Sequence, residues 1–192
     1  RCRDAGIKPV IGVEFRRGGE HLFTGIARNR EGFRELCAFL TEHSFDDKPL
    51  PRLAPAFRHA YVIYTRAAKS VEMLTEREFV GVRHEEIGRL LLPEWRAYRS
   101  KMVIWAPVVH LNLDGWRVHK LLRAIDLNTL LGKLKPEDCA FKSDSWVAPE
   151  VLRHIFEPYP DILARTEAVL EDCDAEMPSS HLNNRRNFTG SK

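Results

Sequence analysis

A chain of 192 residues with 44% hydrophobic and 30% charged residues has the makeup of a globular domain that can build a core without disulfides or a structural metal. Its 30 basic residues nearly balance 27 acidic ones, and the net charge of +3 falls short of the basic excess of a dedicated nucleic-acid-binding domain. No apolar run approaches the roughly 18 residues of a spanning helix, which argues against a membrane span.

The opening Arg1-Cys2-Arg3-Asp4 has neither an initiator Met nor a signal peptide's apolar region, and reads as an internal start. Pro9–Phe15 is a β-rich apolar run, and Gly18-Gly19 supplies the backbone freedom of a tight turn before a returning strand over His21–Ala27. Asn29 is a suitable N-cap for a helix whose Phe33, Leu36, Cys37 and Leu40 fall at i, i+3, i+4, i+7. Ser44–Pro55, with Pro49, Pro51 and Pro55, reads as an exposed loop.

Further strands are expected at His59–Tyr64, Glu78–Val82 and Lys101–Trp105, with helical pieces around Glu85–Leu92 and Glu94–Tyr98. Trp116–Leu127 predicts a helix with Val118, Leu121, Leu122 and Ile125 on its core face. Pro149 suits the first turn of a helix through Phe156. Asp161–Cys173 predicts another, with Ile162, Thr166, Val169, Leu170 and Cys173 inward. After Cys173 apolar residues become rare, so a linker is expected over 174–192. Strands alternating with helices imply an α/β domain over 1–173. Cys2, Cys37, Cys139 and Cys173 form no CxxC pair, and Cys37 and Cys173 fall on the apolar stripes of predicted helices, which suits buried free thiols there and a reducing, cytoplasmic setting.

Three stretches share wording with one family. They are AGIKPVIGVE (5–14) with GIARNREGFREL (25–36), VHKLLRAIDLNTLLGKL (118–134), and the closing pair of helices in WVAPEVLRHIFEPYPDILARTEAVLEDC (146–173). In this order they resemble the PHP (polymerase and histidinol phosphatase) domain of bacterial DNA polymerase III alpha subunits, of a divergent, Bacteroidetes-like branch. The resemblance implies a distorted (β/α)7 barrel, here incomplete because the N-terminal third with its first strands and HxH motif would precede residue 1. Active members of the family hold several divalent ions at one end of the barrel to hydrolyse phosphate esters.

The family's acidic position after the first apolar strand here falls on Glu14, the next His on His21, and the last His on His110. The Asp two residues before that last His is Val108, and the family's Cys position falls at Tyr64-Thr65, where no thiol stands. Val cannot ligate a metal, so Glu14, His21 and His110 read as remnant ligand positions, with no catalytic residue and no cofactor in this chain. Zn or Mn is implied only if the PHP site is active, and Mg only for the polymerase core of a parent protein. Read without the resemblance, Glu14 is a strand-end carboxylate, His21 a turn residue, and His119 and His154 belong to solvated helix faces.

The implied role is structural. The segment would support a downstream polymerase core in cis and offer a surface to a proofreading exonuclease or other replisome subunit, with DNA met through the parent. The rival expectation is a working metal-dependent phosphoesterase or proofreading 3'-5' exonuclease. Arg16, Arg17, Arg28 and Arg30 read either as a phosphate-facing patch or as a solvated rim.

Overall fold

The computed structural model describes residues 2–18, 20–45, 48–65 and 68–175. β1 (Gly12–Arg17) and β2 (Glu20–Ala27) form an antiparallel hairpin, and Gly18 takes a positive φ of 58° that favours glycine at the turn. Gly19 lies outside the described residues. β2 pairs antiparallel with β3 (Ala60–Tyr64), and β3, β4 (Glu78–Val82) and β5 (Met102–Ile104) run parallel. The strands thus sit near their expected positions, in one sheet of order β1-β2-β3-β4-β5.

That sheet overturns the expected (β/α)7 barrel. A barrel needs every strand paired on both sides, whereas this sheet has two edges and an antiparallel hairpin at one of them. At the other edge, two outward backbone groups of β5, Ile104 N and the Met102 carbonyl, are taken by side chains of α5 (Pro160–Glu171). Thr166 Oγ1 accepts from Ile104 N at 2.9 Å, and Arg165 donates to the Met102 carbonyl at 2.7 Å. No further strand can pair there while these bonds hold.

α1 (Arg30–Phe45) begins where expected, with the Asn29 side chain accepting from Gly32 N. Its Leu36 is fully buried against one face of the sheet, with Phe15, Phe23, Val62, Tyr64 and Val80. On the opposite face, Ile63, Phe79 and Val103 pack under Val169 of α5. A third cluster joins Val82, Leu90 and Met102 to Phe156 and Ile162, from α4 (Pro149–Phe156) and α5. The short α2 (Pro93–Arg96) follows a 3-10 stretch over His84–Leu91.

α3 (Leu113–Asp126) forms as predicted, but its stripe does not face the core. Val118, Leu121, Leu122 and Ile125 are 50–75% exposed, and Ala124 is the residue the helix buries. Hydrophobic periodicity fixes which residues share a face, not what that face meets. Of the predicted linker, residues 176–192 lie outside the described residues. No helix among the described residues is long and apolar enough to cross a membrane.

Candidate functional site

Open α/β sheets bind ligands beyond the carboxyl ends of their parallel strands. Here that end carries Thr65, Arg83 and Trp105, each the residue immediately after β3, β4 or β5. The antiparallel β2 starts at the same end and brings His21 with it.

His21 arrives through a β-bulge. Phe15 pairs with Phe23, but Arg16 pairs with His21, so Leu22 is an extra residue in β2. The bulge reverses the alternation of side chains. Leu22 joins Phe15 and Phe23 in the core, while His21 turns to the opposite face and reaches Thr24 and Trp105. Its Nε2 lies 2.9 Å from Thr24 Oγ1, its Nδ1 lies 3.4 Å from Thr65 Oγ1, and its ring centroid is 5.2 Å from that of Trp105. Burial lowers its pKa below 6.5, with Glu14 opposing and Arg16 assisting, so the ring is neutral at pH 7.

Trp105 stands over Gly81, where a Cβ would lie 2.6 Å from the Trp105 Cβ. Beside it the Arg83 guanidinium sits 5.4 Å from the Trp105 ring and 5.4 Å from the Phe141 ring. Arg83 donates two hydrogen bonds to Glu85, one to Ser143 and one to Asp144. Burial alone would raise the Glu85 carboxyl, but the hydrogen bonds from Arg83 and Ser143 outweigh it and hold it at about 2. Asp144 is itself buried and accepts from Phe141 N through its other oxygen. Arg83 therefore pins the 141–145 loop to the end of the sheet.

That loop in turn holds His110. The Asp144 carbonyl accepts from Val109 N and His110 N, and Trp146 N donates to the His110 carbonyl. His110 Nε2 donates to the Phe141 carbonyl at 3.1 Å. Nδ1 is buried with no hydrogen-bond partner among the described residues. Below Trp105, an apolar cleft of about 150 Å³ opens between sheet and α5, lined by Thr24, Ile26, Ile63, Val103 and Val169 among others.

The three residues singled out as ligand positions thus have separate partners. Glu14 pairs with Arg16 at 3.1 Å, His21 sits between two threonines, and His110 is tied to the 141–145 loop. Val108, at the family's Asp position, is 48% exposed. Among the described residues, no group of three His, Cys, Asp or Glu side chains is placed to hold a metal ion. This donor set does not fit the multi-metal centre of the family. Among the basic residues considered for phosphate, Arg16 meets Glu14, Arg17 meets the Leu50 carbonyl and Arg28 meets Asp172.

His119 departs from the solvated reading, because its Nε2 accepts from Ala140 N at 2.9 Å; His154 is exposed beside Glu157. Thr65, Arg83, Trp105 and Asp144 escaped the sequence reading as a set. The available signal was positional, since Thr65, Arg83 and Trp105 each end an apolar strand.

No protein-family model matches this chain, and a search of the curated proteins finds no match either.

Proposed function

We propose that this chain is part of a PHP domain of a DNA polymerase III alpha subunit in which the metal centre has been replaced by structural contacts. It serves the polymerase as a support and a docking surface. The observation that carries this reading is the meeting of His21 with Thr65. The resemblance puts His21 and the Tyr64-Thr65 position in one ligand set, and His21 and Thr65 lie together at the strand ends. No thiol stands there, and the group that reaches the imidazole is the Thr65 hydroxyl, a weak metal donor.

The reading extends to location. Cys2, Cys37, Cys139 and Cys173 are all free thiols, which suits a reducing cytoplasm. Catalysis of DNA synthesis, with its Mg ions, belongs to the parent's polymerase core, and a proofreading exonuclease or another replisome subunit is the partner class in view.

The test is elemental analysis of the full-length parent, together with hydrolysis of a chromogenic phosphodiester in Zn²⁺ or Mn²⁺. Metal far below one ion per chain and no hydrolysis are expected. Two or more tightly held ions, with hydrolysis abolished by Glu14→Ala and by His110→Ala, would overturn the reading in favour of a working phosphoesterase or exonuclease.

A further inference from the structure

The apolar cleft between the sheet and α5 has no part in a support or docking role, yet its size, charge and hydrogen-bonding capacity are selective. Its floor is Ile63, Val103 and Val169, which are 4%, 1% and 6% exposed, and Trp105 is one wall. Trp105 directly follows β5, which puts the cleft beside the carboxyl ends of the parallel strands, where open α/β sheets take their ligands.

Size sets the first limit. The cleft measures about 150 Å³, and an apolar cavity of that volume takes one benzene-sized ring.

Charge sets the second. No ionisable side chain lines the cleft. The Arg83 guanidinium, 5.4 Å from the Trp105 ring, is spent on Glu85, Ser143 and Asp144. A charged ligand would lose its hydration here with no counter-ion to replace it.

Hydrogen bonding sets the third. Two threonines are in the lining, Thr24 and Thr166. The Thr166 hydroxyl is used in both senses, accepting from Ile104 N and donating to the Ile162 carbonyl. Thr24 Oγ1 has one hydrogen-bond partner among the described residues, His21 Nε2 at 2.9 Å. A hydroxyl offers one donor and two acceptor positions, so Thr24 keeps capacity for a polar group on a ligand. The His21 ring, 5.2 Å from that of Trp105, holds this hydroxyl near the aromatic wall. A neutral aromatic ring bearing one hydroxyl meets all three limits.

We propose that the cleft binds a small neutral phenol, with its ring between Trp105 and the aliphatic floor and its hydroxyl on Thr24 Oγ1. The proposal goes beyond the support and docking reading and depends neither on the family nor on a metal.

The probes are phenol, toluene and benzoate, titrated into the full chain labelled with ¹⁵N and followed by amide chemical shifts. Phenol is expected to give saturable shifts at Thr24, Val103, Trp105 and Val169, with a Kd of about 1 mM or tighter. Toluene, which has the ring without the hydroxyl, should bind about fivefold more weakly, the worth of one hydrogen bond. Benzoate should bind at least about tenfold more weakly than phenol. Thr24→Val should abolish the preference for phenol over toluene while toluene still binds. Val169→Phe, which fills the floor, should abolish binding of both, with a thermal melt to show that the fold is kept.

The proposal is overturned if phenol gives no saturable shift below about 10 mM, or if its shifts fall away from the cleft. Equal binding of benzoate and phenol would overturn it too, as would a preference for phenol that survives Thr24→Val.

Discussion

Glu78 is a carboxylate at the buried start of β4, and both of its oxygens have hydrogen-bond partners. It accepts from Lys69, from the Tyr64 hydroxyl at 2.9 Å and from Thr75 N at 2.9 Å. Burial alone would raise its pKa, but the hydrogen bonds from Lys69, Thr75 and Tyr64 outweigh that and hold it below 4.5. Because the folded pKa is depressed, this carboxylate stabilises the fold above the unfolded value of 4.5, and that contribution disappears as pH falls toward the folded value. Removing one partner of a buried pair costs more than removing both, since the survivor keeps its charge without compensation. Glu78→Ala is therefore expected to cost about 3 kcal/mol at pH 7 in urea unfolding. Lys69→Met with Glu78→Leu should recover most of the loss. A double variant no more stable than Glu78→Ala would show that the pair is not the origin of the effect.

At the level of elements, β5 shows how a helix can close a sheet edge. Thr166 accepts from Ile104 N and donates to the Ile162 carbonyl at 2.7 Å, so one hydroxyl joins strand and helix. Thr166→Val keeps the shape, removes both bonds and leaves the Ile104 N–H without a partner. The expected loss is about 1–3 kcal/mol by chemical denaturation. The freed edge should also raise the tendency to associate, because an unpaired strand edge recruits another strand. Thr166→Ser should retain both stability and dispersity, and a Thr166→Val protein as stable as the parent would remove the clamp from the account.

This clamp also shows what the sequence could and could not convey about the elements. Apolar runs marked all five strands, because β-branched and aromatic residues suit a pleated surface whatever its topology. Closure of the sheet is a different matter. It depends on which groups satisfy the backbone of β5, and Thr166 appeared only as one member of an inward helical stripe. The barrel was inferred from resemblance alone and does not survive the edges of this sheet. The site suffered similarly, since nothing in GEHLF announces that Leu22 is the extra residue of a bulge. Without that reversal His21 would lie on the α1 face, away from Thr65 and Trp105.

Across the whole molecule, two parts of unequal depth share one chain. The sheet, α1 and α5 bury nearly all the large side chains, whereas residues 108–146 hide little beyond His110, Ala124 and Asp144. The principal link between the two is Arg83, anchored after β4 and bonded to Ser143 and Asp144 of the outer part. Regions with few buried apolar contacts open below the global unfolding free energy, so α3 should exchange its amide hydrogens through local opening. Native-state hydrogen exchange should give α3 amides an opening free energy at least about 2 kcal/mol below that of β3. Arg83→Met removes the latch and leaves Asp144 buried without its cation. It should lower α3 protection by a further factor of about ten or more, while β3 and β4 amides change little. If α3 and β3 instead exchanged with one common free energy, and Arg83→Met lowered both equally, the chain would unfold as a single cooperative unit and the division would fail.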